Sequence, residues 1–144
     1  MNTGKTPTTR LFLMMFLQIF IWGAWLPLIF GYLPTLGYTP FEQSWILNAF
    51  PVAAIIGLFF GNQFADRNFA AERFLAFSHL VGGVTMIGMS MTSDFWTFLV
   101  LMWVHCLFYV PTISITNSIG FAHMQDPTSE FGPIRMGGTI GWIA

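Results

Sequence analysis

The side chains that could line a cavity stand together near the C-terminal end of the sequence. Arg135, Thr139 and Trp142 occupy positions i, i+4 and i+7. An α-helix turns by about 100° per residue, so these three side chains would share one face. Glycines fall on the other sides of the same helix, at Gly137, Gly138 and Gly141. We therefore predict a cavity-lining helix with one polar and aromatic face and one smooth face for packing.

Arg135 has two interpretations. An arginine in the middle of a membrane span costs about 2.5–3.5 kcal/mol on insertion scales, so a residue kept there serves a function. Alternatively, Arg135 lies at the cytoplasmic interface, where its side chain extends to water and follows the usual excess of basic residues on that side. The spacing is compatible with both positions.

A second polar and aromatic face lies near the N-terminus. Gln18, Trp22 and Trp25 again stand at i, i+4 and i+7. An amide and two indoles can bind a polar molecule that carries a ring, by hydrogen bonding and stacking. Alternatively, Trp25 belongs to a belt of aromatic residues at the membrane surface. We favour ligand binding for Gln18 and Trp22, because Gln18 lies too deep in its apolar segment for a belt residue.

Hydroxyl and amide side chains are concentrated between Tyr109 and Ser118. Such residues often bond to the carbonyl one turn earlier or hold neighbouring helices together. Among them, Asn117 is the candidate ligand contact. His105, slightly earlier, either relays protons or packs as a neutral side chain, and we favour packing.

The sequence contains no arrangement typical of an enzyme. It has no His, Asp and Glu cluster at metal-binding spacing, no phosphate-binding glycine loop and no nucleophile beside a base. Its one cysteine, Cys106, excludes an intrachain disulfide and is expected to pack as a small apolar residue. We therefore expect no catalytic residues, no metal site and no cofactor.

The composition is that of a membrane protein. Hydrophobic residues make up 55% of the chain and charged residues 8%, whereas soluble domains carry about 25% charged residues. The net charge is -1, without the basic surface that nucleic acid binding requires. The expected surroundings are therefore the lipid bilayer, and no nucleic acid partner is expected.

Four apolar runs are long enough to cross a membrane. They lack Asp, Glu, Lys and Arg, and they cover residues 11–33, 45–65, 74–92 and 95–122. About 20 apolar residues cross the hydrocarbon core, and the bilayer requires each span to be helical. A fifth run, residues 134–144, is interpreted as the truncated start of another span.

The basic residues indicate the orientation of the spans. Residues 1–10 and 66–73 each carry two of them, and the connections on the other side carry none. Basic residues are enriched on the cytoplasmic side of membranes. These two segments and the connection formed by residues 123–133 are therefore expected in the cytoplasm, together with the N-terminus.

Small residues and prolines indicate how the spans pack. Small residues recur at spacing four, at Ala53, Gly57 and Gly61 and at Ser78 and Gly82. Such spacing lets another helix approach closely. Prolines lie in or at the ends of the spans, at Pro27, Pro34, Pro51 and Pro111, where they tend to bend the helix.

The connection after the second run resembles a known signature. Gly61, Asp66 and Arg67 stand there in an order similar to the Gly-x-x-x-Asp-Arg motif between the second and third helices of the major facilitator superfamily. In that superfamily the motif belongs to a cytoplasmic gate. The resemblance therefore implies a gating role for these three residues.

Three further stretches resemble one family within that superfamily, the nucleoside:proton symporters. Residues 16–25 are similar to its first helix, and residues 109–119 are similar to its fourth. Residues 133–142, which include Arg135, Gly138 and Thr139, are similar to its fifth helix. The order and spacing of these stretches match along nearly the whole chain.

The resemblance implies a twelve-helix transporter built from two six-helix halves. This all-α chain would supply the first four transmembrane helices and the start of the fifth. A nucleoside would bind in a central cavity and enter with protons as the coupling ion. The family's substrate contacts would be Arg135 and Thr139, and Trp142 would stack on the base. The C-terminal helices that complete the pocket would lie beyond this chain.

Two alternatives stay open. The chain could come from a major-facilitator relative that carries another polar solute, such as a sugar or an aromatic acid. It could also be a small membrane-embedded binding or assembly subunit, although residues 11–33 lack the carboxylate typical of four-helix drug exporters. For the nucleoside transporter, the expected location is the inner membrane of a bacterium.

Overall fold

The computed structural model describes residues 5–57 and 71–144. Within these ranges the chain forms α-helices joined by short connections. They are α1 Thr8–Thr35, α2 Pro40–Leu47, α3 Ala49–Ile56, α4 Ala71–Ser90, α5 Phe95–His123 and α6 Pro127–Ile143. Helices are the expected result for apolar segments of this length, because a helix satisfies its own backbone hydrogen bonds inside a bilayer.

Helix α1 contains the whole of the predicted first span, and the two prolines in its C-terminal half do not end it. The helix stops at Thr35, whose hydroxyl donates to the carbonyl of Tyr32 over 2.7 Å. Gly37 follows with a φ of 80°, and its N–H donates to the carbonyl of Pro34 at 3.0 Å. Glycine adopts a positive φ without strain, which allows the chain to leave the helix in a tight turn.

Helix α2 begins ahead of residue 45, where the second span was predicted to start. The hydroxyl of Thr39 accepts the N–H of Glu42 at 3.3 Å, and the carboxylate of Glu42 accepts the N–H of Thr39 at 2.8 Å. This capping box satisfies two backbone donors at the helix start. Asn48 separates α2 from α3, because Pro51 has no N–H to offer the carbonyl one turn earlier.

Helix α5 extends over the predicted fourth span and continues through Pro111. Asp94 caps it by accepting the N–H and the hydroxyl of Thr97, each at 2.8 Å. The hydrogen bond from the Thr97 N–H is the main reason that the pKa of Asp94 is lowered. The stabilisation by the ionised cap is complete above the ordinary pKa of aspartate and is lost as the pH falls through the lowered value.

Helix α6 begins at Pro127, earlier than the predicted start at residue 134. Asp126 caps it by accepting the N–H of Thr128 at 3.1 Å and the hydroxyl of Ser129 at 2.7 Å. Proline is favourable at the first helical position, and the acidic Glu130 in the first turn suits the positive end of the helix dipole. Much of the predicted connection at residues 123–133 is therefore helical.

Two of the described helices, α1 and α5, are long and apolar enough to cross a membrane. Helix α4 contains most of the predicted third span, but it carries Glu72 and Arg73 in its first turn and polar residues such as His79 further along. The predicted second span continues beyond residue 57, outside the described residues. The limits of the individual spans stay predictions.

The contacts divide the chain into two compact units. The first unit contains Met1–Ile29 and Thr116–Ala144, and the second contains Phe30–Ile115. In the first unit, a core of Leu11, Met15, Met124 and Ile134 joins α1 to α6 and the turn before it. Burial of such side chains contributes about 1.5–3 kcal/mol each in water, and packing takes over this role where lipid surrounds the helices.

Glycines let the backbones of α1 and α6 touch in the first unit. A Cβ atom placed on Gly137 would lie 2.5 Å from the carbonyl oxygen of Phe12, and one on Gly141 would collide with the carbonyl oxygen of Phe16. Further along, a Cβ atom on Gly23 would lie 3.0 Å from the carbonyl oxygen of Trp142. The predicted smooth face of the last helix is therefore confirmed, and α1 is the helix that covers it.

The N-terminal segment is tied to the turn between α5 and α6. The hydroxyl of Thr6 donates to the carboxylate of Glu130 over 2.8 Å. The N–H of Gln125 lies between the two acceptors, 3.2 Å from the Thr6 hydroxyl and 3.1 Å from the Glu130 carboxylate. These hydrogen bonds therefore hold together the N-terminal ends of α1 and α6, the two helices that the apolar core also joins.

In the second unit, α4 and α5 pack through a glycine and a histidine. His105 is 1% exposed and stacks on Tyr109 with ring centroids 5.5 Å apart. Its Nδ1 lies 3.2 Å from the carbonyl oxygen of Gly82, and a carbonyl can only accept, so Nδ1 carries the proton. His105 thus has the contacts of a packed side chain, the alternative that the sequence favoured.

Replacement of Gly137 by alanine is expected to destabilise the natural full-length protein. The added methyl group would meet the Phe12 carbonyl at 2.5 Å, and overpacking of this kind costs about 1–3 kcal/mol. The measurement is the midpoint of thermal unfolding in detergent. Gly132→Ala is the matched control on the same helix, because no atom lies within 4 Å of its added methyl group. Equal midpoints for the two variants would contradict the close contact of α1 with α6.

Candidate functional site

Helix α6 carries three of the predicted site residues on one face. Residues 127–143 are helical, so Arg135, Thr139 and Trp142 keep the spacing that brings them together. Arg135 is half-buried, Thr139 is exposed and Trp142 is 42% exposed. The glycines of the same helix are buried where α1 covers them. The arrangement leaves the hydroxyl and the indole accessible while the glycines of the same helix pack against α1.

The structure shows where the Arg135 guanidinium lies. One of its nitrogens, Nη1, lies directly beside Gly138, one turn towards the C-terminal end of α6. Ile19 of α1 also borders Gly138. The guanidinium thus lies near the glycine side of α6, close to α1, and both interpretations of Arg135 stay predictions.

The guanidinium of Arg135 lies beside an apolar part of α1. Ile19 of α1 borders Gly138 next to it, and residues 11–33 contain no Asp or Glu. A guanidinium has five N–H donors and no acceptor. The group can therefore donate to carbonyl and hydroxyl oxygens.

Trp22 and Trp142 form an aromatic pair between α1 and α6. Their ring centroids are 5.2 Å apart, and their planes meet at 69°. Trp22 is half-buried, whereas Trp142 is more exposed. Edge-to-face pairs of this kind are attractive, because the positive edge of one ring meets the negative face of the other. The structure therefore brings together two residues that the sequence assigned to separate faces.

Gln18 lies deeper than the other site residues. It is 3% exposed, and its amide oxygen accepts the hydroxyl of Thr116 over 3.3 Å. This bond joins α1 to α5 within the first unit. Gln18 thus lies beneath the exposed groups of the site, where it joins α1 to α5, whereas Trp22 lies at the edge of the site.

Asn117 is half-buried on α5, one position after Thr116. Neighbouring residues of a helix point about 100° apart, so Asn117 does not share the direction of the Thr116 hydroxyl that bonds to Gln18. Sequence reasoning included Thr116 in the hydroxyl-rich run that could hold helices together but did not single it out. The available signal was its spacing of four from Thr112, because both threonines are buried and continue the face of Tyr109.

The other predicted residues fall elsewhere. The gating residues Gly61, Asp66 and Arg67 lie outside the described residues 5–57 and 71–144. Over that described part of the chain, no group of three or more His, Cys, Asp or Glu side chains could hold a metal ion. The described site therefore consists of one cation, hydroxyl and amide groups and two indoles.

This combination defines a class of protein. Long apolar helices, glycine-mediated packing and a helix face that carries a guanidinium, a hydroxyl and an indole are features of multi-pass membrane proteins. Comparison with known proteins identifies the class more closely. The family model described as nucleoside H+ symporter matches residues 5–144. The chain belongs to this family, as the motifs predicted.

Individual relatives carry corresponding names. The chain is 37% identical to "Putative nucleoside transporter YegT" and 36% identical to "Xanthosine permease", both of Escherichia coli (strain K12). These matches cover 95% and 93% of the chain but only 32% and 33% of the relatives. The chain thus spans about a third of the length of the curated relatives it matches.

A solved structure shares the fold. The chain is similar to the crystal structure of nucleoside transporter NupG with a TM-score of 0.87 and 26% sequence identity. The match covers 94% of this chain and 35% of that one. The predicted fold class is confirmed, because the helices follow those of a major-facilitator-type transporter over the matched third.

Replacement of Thr116 by valine is expected to lower the stability of the natural full-length protein without a change in side-chain shape. It removes the hydroxyl that donates to Gln18. Polar bonds between membrane helices contribute about 0.6 kcal/mol on average and up to about 1.7 kcal/mol. Thermal unfolding in detergent measures the loss. Ser118→Ala, an exposed hydroxyl on the same helix, is the control, and a Thr116→Val midpoint no lower than that of the control would show that the bond contributes nothing.

Proposed function

We propose that this chain is the N-terminal part of a secondary transporter that takes up nucleosides by proton symport. Membership of the nucleoside H+ symporter family over residues 5–144 supports the proposal. The site described above supports it independently. Its groups suit binding and release of a neutral polar molecule, and its relatives are named as transporters and permeases rather than enzymes.

The shared face of Arg135, Thr139 and Trp142 on α6 carries the proposal for the binding site. Arg135 is half-buried, and its guanidinium can donate hydrogen bonds to a ligand that lies over the exposed part of this face. Thr139, one turn after Arg135, can donate to or accept from a ribose hydroxyl. Trp142 offers an indole on which a base can stack. The three groups match the sugar and base of a nucleoside in order along the helix.

Gln18, Trp22 and Asn117 have secondary roles in this proposal. Trp22 borders the base position through its contact with Trp142. Gln18 acts indirectly, because its bond with Thr116 holds α1 against α5. Asn117 is retained as a candidate contact because it is half-buried and lies in the same unit. The helices that complete the pocket would be the C-terminal helices of the same transporter.

Proton coupling requires a group that binds and releases a proton during transport. Residues 11–33 and 95–122 contain no Asp or Glu, and His105 packs against Gly82 with its Nδ1–H engaged. We therefore assign the proton-binding group to a part of the transporter outside α1 and α5. The proton itself is the coupling ion, and no other cofactor is proposed.

The proposed location is the inner membrane of a bacterium, with the N-terminus in the cytoplasm. The bilayer is favoured by the two helices, α1 and α5, that are long and apolar enough to cross it. The orientation is favoured by Lys5 and Arg10 before α1 and by Arg67 and Arg73 before or at the start of α4. The proposed gate at Gly61, Asp66 and Arg67 would then face the cytoplasm.

The natural full-length protein is expected to take up labelled uridine or adenosine in cells that lack their own nucleoside transport. Arg135→Ala should reduce uptake at low substrate concentration by about tenfold or more, because hydrogen bonds to a charged group contribute about 1.5–3 kcal/mol. Arg10→Ala is the matched control, since Arg10 is exposed at the start of α1. Surface expression of each variant is measured in parallel.

Undiminished uptake by Arg135→Ala would contradict the role assigned to the guanidinium. A panel of labelled sugars and aromatic acids tests the substrate class, and uptake of one of these without any nucleoside would favour the alternative solute. Proton coupling is tested by a protonophore, which should abolish accumulation. Accumulation that persists after collapse of the proton gradient would contradict symport.

A further inference from the structure

The contact between Trp22 and Trp142 has a consequence for the selection of substrates. The two indoles form an aromatic corner, with centroids 5.2 Å apart and an interplanar angle of 69°. Trp22 is the more buried of the two, and Trp142 keeps 42% of its surface exposed. The Trp22 indole is therefore largely held in the contact between α1 and α6, and the Trp142 indole is more accessible.

The backbones of α1 and α6 lie close together next to this corner. A Cβ atom on Gly23 would lie 3.0 Å from the carbonyl oxygen of Trp142 and 3.2 Å from its Cα atom. Trp22 directly precedes this point of contact. Main-chain packing thus places the backbone of Trp22 near that of Trp142, and the contact of the two rings gives the Trp142 indole a neighbour on that side.

A fixed aromatic ring binds a ligand better than a mobile one. A side chain that changes rotamer in the free protein loses conformational entropy when a ligand immobilises it, and a side chain held beforehand does not. Stacking also increases with the overlap of the two ring systems, because dispersion and apolar burial are summed over atom pairs. An indole has two fused rings, as a purine has, whereas a pyrimidine has one.

We propose that Trp22 is a positioning residue that holds the Trp142 indole for stacking, and that this aromatic corner makes the transporter selective for nucleosides with a purine base. The inference rests on the proposed function and deepens it. Arg135 and Thr139 bind groups that are common to all nucleosides, so they do not distinguish bases by size. The second ring of a purine adds contact area only where a bicyclic partner of fixed orientation is present.

The test is a competition experiment with the natural full-length protein. Uptake of labelled adenosine is inhibited with unlabelled inosine, guanosine, uridine or cytidine. We expect half-inhibitory concentrations about tenfold lower for the purine nucleosides, which corresponds to a part of the usual energy of one base–aromatic stack. Trp142→Phe, which leaves a single ring, should bring the purine and pyrimidine values to within about threefold while uridine still competes.

The role of Trp22 is tested separately. Trp22→Ala should raise the KM for adenosine about fivefold or more at unchanged maximal rate and surface expression, and Trp22→Phe should restore most of the affinity, because it keeps an aromatic edge. Trp96→Phe is the control for loss of an indole, since Trp96 is 70% exposed in the second unit. If Trp22→Ala does not reach the membrane, Trp22→Phe and Trp142→Phe still measure the selectivity.

The outcomes separate this inference from the proposed function. Absence of uptake for every nucleoside would overturn both the transporter and the selectivity. Uptake of nucleosides with equal inhibition by purines and pyrimidines would overturn the selectivity alone. A purine preference that Trp142→Phe leaves unchanged would show that another part of the protein selects the base. An unchanged KM in a well-expressed Trp22→Ala variant would exclude a positioning role for Trp22.

Discussion

The contact between the backbones of α1 and α6 is the constraint on which the described site depends. Gly137 and Gly141 bring α6 onto the carbonyl oxygens of Phe12 and Phe16, and Gly23 brings α1 onto Trp142. Lipid tails are as apolar as the helices they surround, so hydrophobic burial gives little reason for two helices to associate. Close approach then provides the attraction, because many atom pairs reach van der Waals distance together. Glycine is the residue that allows this approach.

The same contact orders the functional groups. The glycines of α6 pack against α1, and the neighbouring face of α6 carries Arg135, Thr139 and Trp142. Gly138 leaves room for the guanidinium beside it, and Trp22 meets Trp142 because Gly23 brings the chains together there. Behind these groups, the buried bond between Thr116 and Gln18 adds α5 to the pair. Neighbouring sides of α6 thus carry the packing glycines and the proposed binding groups.

Helical periodicity made part of this arrangement predictable. Residues three or four apart share a face whatever the surroundings, so the polar side and the glycine side of α6 followed from spacing alone. The start of α6 did not, because residues 123–133 were expected to form a connection, whereas Asp126 and Glu130 support the first turn of the helix. The pairing of Thr116 with Gln18 depends on the rotation of α5 against α1. Such a rotation depends on contacts between helices, so the sequence of a single helix does not predict it.

Gly23 affects the site through the backbone alone. It has no side chain to offer a ligand, yet it allows the main chains to approach where Trp22 meets Trp142. A Cβ atom at this position would lie 3.0 Å from the carbonyl oxygen of Trp142, so a larger residue requires the neighbouring chain to shift. Under the proposed function, a change at Gly23 would then alter the contact between the indoles, and with it the selection of substrates, without altering any group that binds them.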